Sequence, residues 1–323
     1  MQYVAPRWLP GGNLQTIWPA LYARRAAGPL PAYRRERWPT PDGDFVDVDR
    51  LDAPQPDAPL LVLFHGLEGS SRSHYAEAFA AFAATRGWAF AVPHFRGCSG
   101  EINLAPRAYH SGDFEEIDWL LARFAKGQAL GAPMLAAGVS LGGNALLRWA
   151  EEAGAQAARR VRAVASVSAP LDLAAGGAAI GRGFNRLVYT RMFLATMKPK
   201  ALAKLAQHPG LFDRETLLAA RDLYAFDDVF TAPLHGFRGV DDYWSRGSSK
   251  PHLAAIRVPA LVVNALNDPF VPAQSLPHAA QAGSHVTLWQ PAHGGHVGFP
   301  LGLPPGHVRG MPERVGDWLA RQL

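Results

Sequence analysis

Residues 133–153 read Pro-Met-Leu-Ala-Ala-Gly-Val-Ser-Leu-Gly-Gly-Asn-Ala-Leu-Leu-Arg-Trp-Ala-Glu-Glu-Ala and decide the fold. Pro133–Val139 is an apolar run of strand length. It leads through Ser140 into Leu141–Ala153, which has helical character. The join is Gly138-Val139-Ser140-Leu141-Gly142, a G-x-S-x-G pentapeptide. The bare motif recurs by chance. A buried strand running into it and a helix running out make it a nucleophile elbow. The turn is so tight that only small residues fit beside the serine. The serine then stands above a sheet, at a helix start where backbone N–H groups point outward.

Working outward, the same alternation repeats on both sides. Leu60–His65 is a continuous apolar run, as a buried parallel strand should be. Helical His74–Arg86, strand Trp88–Pro93, helical Asp113–Lys126 and strand Val161–Val167 follow the pattern. After an interruption it resumes with strand Val258–Leu266, helix Ala273–Ala282, strand His285–Gln290 and helix Pro312–Leu323. Such alternation predicts an α/β fold: a doubly wound, mostly parallel sheet with helices on both faces. Two earlier strands, Arg34–Trp38 and Phe45–Leu51, flank the turn Pro41-Asp42-Gly43. Alternating polarity in the second predicts a half-exposed strand. The expected division is an irregular arm at 1–32, a core at 33–170 and 251–323, and an inserted, mainly helical cap at 171–250.

Composition fits this reading. The 323 residues are 48% hydrophobic and 18% charged, which excludes a disordered or collagen-like chain. One cysteine, Cys98, excludes an intrachain disulfide framework and suits a reducing compartment. Its expected role is a small side chain in a crowded turn. Met1–Pro10 lacks a basic start and apolar core, so no secretory signal is expected and the expected location is cytoplasmic. Ala129–Leu147 is uncharged for 19 residues but too rich in glycine and polar residues for a membrane span. The net charge of +5 comes almost entirely from arginine, with five lysines and no nucleic-acid-binding signature.

A serine hydroxyl needs a base to take its proton. On this fold the order along the chain is serine, acid, histidine. His293 and His296 both follow the last expected strand. His296, in Gly-Gly-His-Val-Gly-Phe, has small neighbours that let an imidazole reach a cleft, whereas His293 reads as a loop hydrogen-bonding residue. Asp268, in Asn267-Asp268-Pro269, follows the preceding strand and lies 28 residues before His296, room for one helix and one strand. It is the expected orienting carboxylate. Asp241 and Asp242 fall in the expected cap and are inferior candidates. The oxyanion donors are expected to be the N–H groups of Leu141 and of Leu67, in His65-Gly66-Leu67-Glu68-Gly69. His65 and Glu68 are expected to shape that loop.

Together these residues resemble a known family. Phe64–Ser71, Arg96–Glu101, Tyr109-His110-Ser111-Gly112, Gly138–Asn144 and Gly294–Phe299 look like the YheT-like branch of the α/β hydrolases. Gly12-Asn13-Leu14-Gln15-Thr16-Ile17 and Asp241-Asp242-Tyr243-Trp244 are also similar to that branch. The resemblance implies an α/β-hydrolase fold, a Ser140–His296–Asp268 triad, and no metal or other cofactor. Bacterial members are described as hydrolases or esterases. Eukaryotic members include membrane-anchored enzymes acting on lipid esters and phospholipids, and this chain is expected to differ from them in lacking an N-terminal anchor.

The expected activity is hydrolysis of carboxylic esters, short- to medium-chain or lipid-like, through an acyl-enzyme. An acyltransferase using the same residues and a non-catalytic ligand receptor on this scaffold are the alternatives. A dehalogenase is disfavoured, because Ser140 stands where an aspartate would be needed. Between Leu173 and Phe212 there are six basic residues and no acid, with Phe184, Leu187, Val188 and Met192 interleaved at near-helical spacing. That stripe is expected either to pack on the core or to line an acyl pocket. The basic face is expected to attract anionic substrates or the inner membrane surface.

Overall fold

The computed structural model describes residues 2–129 and 131–323. Met1, at the start of the arm, and Leu130, in the uncharged stretch 129–147, lie outside the described residues. Eight strands form one sheet: β1 (Arg34–Pro39), β2 (Phe45–Leu51), β3 (Leu60–Phe64), β4 (Ala89–Pro93), β5 (Met134–Val139), β6 (Ala163–Val167), β7 (Ala260–Val263) and β8 (Val286–Trp289). Their order across the sheet is β1-β2-β4-β3-β5-β6-β7-β8. The first two pairings are antiparallel and the others parallel. Every residue of β3, β5 and β6 is buried, as helices on both faces require. The chain winds outward from β3 to β4, then returns past β3 to β5. Ligands bind at such a reversal, in the crevice beyond the carboxyl ends of the strands.

Three local expectations are corrected. The arm is not irregular throughout, because Gly11–Leu21 is a helix. Its Pro10 and Pro19 and paired glycines hide the period. Pro10 stands outside the helix, and Pro19 removes only the N–H that would bond the Gln15 carbonyl. Next, β2 is not half exposed. Its Asp47 and Asp49 are buried, with Arg37 and Arg35 of β1 directly across the strand pair. Arg37 pairs with Asp47 at 2.8 Å, and Arg35 and His94 approach Asp49 at 2.7 and 3.0 Å. Lastly, 273–282 is not one helix. A single turn at Ala273–Ser275 and a short helix at Ala279–Ala282 flank Pro277, and Leu276 is extended, as a residue before proline tends to be.

Between β6 and β7 the chain is helical, including Leu173–Ile180, Arg191–Gln207, Arg214–Ala219 and Val240–Gly247. This segment has apolar clusters of its own, one around Leu194, Leu217, Phe226 and Phe230. Its expected stripe behaves otherwise than the sequence suggests. Phe184, Leu187 and Met192 are 52%, 65% and 53% exposed, so they neither pack on the core nor line the cavity. Val188 alone is partly buried, against Ile180, Tyr189 and Phe270. The helix turns its other face, with Phe193, Met197 and Ala201, to the cavity.

Candidate active site

Four loops at the carboxyl ends of β3, β5, β7 and β8 converge. Ser140 follows β5 with φ 53° and ψ −120°, a strained conformation for a residue with a side chain. The strain is held by close packing. A Cβ on Gly138 would lie 2.4 Å from the Gly142 carbonyl oxygen, and one on Gly142 2.4 Å from that of His65. Only glycine fits at either position. The Ser140 N–H donates to the Val167 carbonyl at 2.8 Å, and its own carbonyl accepts from Gly143 and Asn144.

The sequence-selected residues come together. His296 Nε2 lies 3.0 Å from Ser140 Oγ. His296 Nδ1 lies 2.9 Å from Asp268 Oδ2 and 3.2 Å from Oδ1. Asp268 is buried, and its Oδ1 also accepts the Phe270 N–H at 2.8 Å. The Phe270 ring stacks on the imidazole, centroids 4.1 Å apart. His293 stays exposed, 3.4 Å from the Asn267 amide nitrogen. Asp241 and Asp242 bond to Tyr224, Arg238 and Arg246 on the surface.

The loop after β3 turns at Gly66–Gly69, closed by the Gly69 N–H on the Gly66 carbonyl at 2.9 Å. Glu68 has φ 57°, the region usually left to glycine at the third position of a type II turn. Two phenols hold it. The Gly66 N–H donates to Tyr75 at 2.8 Å and the Glu68 N–H to Tyr109 at 3.0 Å. Tyr109 donates in turn to the Glu68 carboxylate at 2.9 Å, and Lys200 pairs with its other oxygen at 2.9 Å. Between the clamped N–H groups, that of Leu67 has no protein acceptor among the described residues, and neither has that of Leu141. His65 is buried. Burial pushes its pKa down to about 3, and its neutral ring accepts the Phe95 N–H at 3.0 Å. Cys98 is also buried, which raises its thiol pKa to about 11.

Sequence reading missed the groups that hold the acid and histidine loops. The His296 N–H donates to Thr16 Oγ1 at 2.8 Å. Gln15 Oε1 accepts from Gly294 at 2.9 Å and from the Asn267 amide at 3.0 Å. Asn267 Oδ1 accepts from Gly295, and Ser168 Oγ from Val297. The signal for the first two was the Gly12–Ile17 motif itself.

A cavity of about 160 Å³ opens on Ser140 and His296. Leu173, Ile180, Phe193, Met197 and Phe270 are among its apolar walls, and Glu68, Tyr109 and Lys200 stand on its polar side. Nearby, His110, Asp113 and His235 bring one potential metal-ligand atom each within 4.8 Å of one another. Protein groups already engage them. His235 has its nitrogens on the Thr231 and Ala108 carbonyls, and Asp113 pairs with Arg107 at 2.6 Å. Among the described residues no helix is long and apolar enough to cross a membrane.

Comparison with known proteins agrees with this architecture. The family model for the α/β hydrolase fold matches residues 59–303. The chain is 38% identical to YheT of Escherichia coli (strain K12), a protein named provisionally as an esterase, over all of this chain and 94% of that one. It is 31% identical to the phospholipase ABHD3 of Mus musculus, over 84% of this chain and 68% of that one. Among solved structures, the Pyrococcus furiosus esterase Pf2001 aligns with a TM-score of 0.51 at 17% identity, covering 94% and 95% of the two chains. The mouse α/β hydrolase domain-containing protein 10 aligns with a TM-score of 0.55 at 14% identity, covering 90% and 100%. These two likenesses concern the fold alone. The family match and the 38% identity to YheT along the whole chain place it in the YheT-like branch of the α/β hydrolases.

Proposed function

We propose that this protein is a serine hydrolase that cleaves carboxylic esters through an acyl-enzyme. The observation that carries the reading is the hydrogen-bonded line Ser140–His296–Asp268 opening on an apolar cavity. Ser140 Oγ attacks the ester carbonyl while His296 Nε2 takes its proton. Asp268 holds the imidazole and stabilises its charged form. The N–H groups of Leu67 and Leu141 receive the negative charge on the carbonyl oxygen. The tetrahedral adduct collapses, His296 gives its proton to the leaving alcohol, and the acyl group stays on Ser140. Water, deprotonated by His296, then releases the acid and restores the serine. The 171–250 segment acts as a cap over this cleft, and its apolar lining favours medium-chain acyl groups over acetyl. No cofactor enters the scheme. Reaction in a reducing cytoplasm fits a chain with one buried cysteine.

A fluorophosphonate probe and a series of p-nitrophenyl esters from acetyl to palmitoyl test the reading. Labelling of Ser140, turnover peaking at medium length, and loss of both in Ser140→Ala are expected. A label on another serine, or no turnover of any ester, removes the assignment.

One observation favours a peripheral membrane role as well. Phe184, Leu187 and Met192 are exposed beside exposed Arg182, Arg186 and Arg191. An apolar face flanked by cations suits the anionic surface of a bilayer, where a lipid-like ester would be met.

A further inference from the structure

The cavity holds a carboxylate that ester cleavage does not use. Asp227 lines it together with Ser140 and His296. Its Oδ1 accepts the Thr231 hydroxyl at 2.6 Å, and its Oδ2 accepts the Trp244 indole N–H at 2.9 Å. Both donors are neutral, and no cation among the described residues pairs with it. The other charged groups on the cavity wall have protein partners of their own. Lys200 pairs with Glu68 at 2.9 Å, and Arg96 with Glu116 and Asp44 at 2.6 and 2.9 Å. Lys204 donates to the carbonyls of Asn103 and Ala105.

Asp227 is partly buried, and withdrawing a carboxylate from water without a counter-charge is costly. Burial pushes the Asp227 pKa up to about 6, with the two hydrogen bonds pulling the other way. Phe226, Phe230, Tyr243 and Trp244 line the cavity with it. A carboxylate among aromatic rings is the chemistry that recognises an ammonium ion, through charge and through the negative faces of the rings.

We infer that the Asp227 end of the cavity binds an alkylammonium group on the substrate. The inference rests on the ester-hydrolase reading for the position of the scissile bond. The substrate class is thus an ester bearing a cationic amine, its carbonyl at Ser140 and its ammonium against Asp227. Both Asp227 oxygens keep a free lone pair for it beside the bonds from Thr231 and Trp244.

Butyrylcholine and its uncharged carbon isostere, 3,3-dimethylbutyl butyrate, give the direct test. The wild type should favour the cationic ester in kcat/KM by about tenfold or more, and Asp227→Asn should bring the ratio close to one. A wild-type ratio near one, or a ratio that Asp227→Asn leaves unchanged, overturns the inference. The wild-type ratio decides by itself if the variant does not fold. Failure of the hydrolase reading looks different, since neither ester would then be cleaved and Ser140 would resist the fluorophosphonate. In that case calorimetric titration with hexyltrimethylammonium still decides. Binding to the wild type about tenfold tighter than to Asp227→Asn supports the ammonium site, and equal binding overturns it.

Discussion

Thr16 lies 280 residues from His296 in the chain, yet its hydroxyl accepts the His296 N–H at 2.8 Å. The same hydroxyl donates to the Gly12 carbonyl at 2.7 Å, so its orientation is fixed. Thr16→Val keeps the shape and removes the acceptor. The His296 backbone donor is buried, and a buried donor left without a partner costs about 1–3 kcal/mol. That cost divides between two readouts. If the folded loop adjusts to find another acceptor, the imidazole leaves its line with Ser140. With about 1.36 kcal/mol per tenfold in rate, kcat would then fall about 5- to 150-fold with little change in KM. If the loop stays in place, the cost appears as lower stability and a lower Tm. Kinetics on a p-nitrophenyl ester, run beside thermal melts, measure both. Thr16→Ser keeps the hydroxyl and should recover most of the loss. A Thr16→Val enzyme with kcat within about twofold of wild type and an unchanged Tm would refute the reasoning, because a cost of this size cannot vanish from both.

Other expectations follow from the same geometry. His296→Ala should lower turnover by several orders of magnitude, since the three residues act as a unit, while exposed His293→Ala should cost less than about tenfold; reversed losses would show that the base is misassigned. Asp49 supplies a pH dependence of stability. Burial alone would raise its pKa, but hydrogen bonds from Arg35, His94 and Ser71 outweigh this and hold it well below the usual carboxylate range. A carboxyl with a depressed folded pKa contributes stability above its unfolded pKa of about 3.9, and that contribution is lost as pH falls through and below this value. Asp49→Asn should therefore lower Tm at pH 7 and flatten the decline between pH 5 and 3; parallel curves for the two proteins would exclude the role. The exposed Phe184, Leu187 and Met192 should give weak binding to anionic vesicles that is lost in Leu187→Asp, and that salt weakens because screening acts over about 10 Å at 0.1 M. Sedimentation with neutral and anionic vesicles measures this, and equal binding to both would remove the arginines from the account.

The sheet core was legible because burial on both faces leaves an unmistakable mark. Leu60–Phe64 and Met134–Val139 have no polar side chain, and each occurs as a strand within one residue of its expected limits. The residues that meet at Ser140 were legible for a related reason: each directly follows such a strand or lies a short loop beyond it. The arm was not legible, because helical period is carried by side chains and Gly11, Gly12 and Pro19 carry little of it. Gly12 serves another end. A Cβ there would fall 1.9 Å from the Asn267 carbonyl oxygen, so the glycine lets the arm lie against the loop that carries Asp268. The stripe of Phe184, Leu187 and Met192 misled for the opposite reason. Period reports that one face of a helix is apolar, and tertiary packing decides whether that face is covered. Asp227 was invisible as a cavity group, since nothing in its neighbours distinguishes it from the six other acids between Asp213 and Asp242.

The arm also explains how distant parts of the chain act on one imidazole. Asn13, on the Gly11–Leu21 helix, accepts the Tyr189 hydroxyl at 2.8 Å, and Tyr189 belongs to the helical segment between β6 and β7. The Tyr189 ring meets Phe270 at 4.5 Å, and Phe270 stacks on His296 at 4.1 Å. Phe184, at the surface, touches Tyr189 edge-on at 6.2 Å. Phe184, Tyr189, Phe270 and the His296 imidazole therefore form one line of ring contacts. The Gln15 and Thr16 hydrogen bonds secure its far end from behind. Packed rings and buried hydrogen bonds yield in steps and do not deform smoothly. A helical segment that moved to admit a substrate would have to carry Tyr189 with it, breaking the bond to Asn13 or shifting Phe270 off the imidazole. The helical segment between β6 and β7 and the loop that carries His296 are thus mechanically one unit, joined through a helix that was hard to foresee from residue pattern.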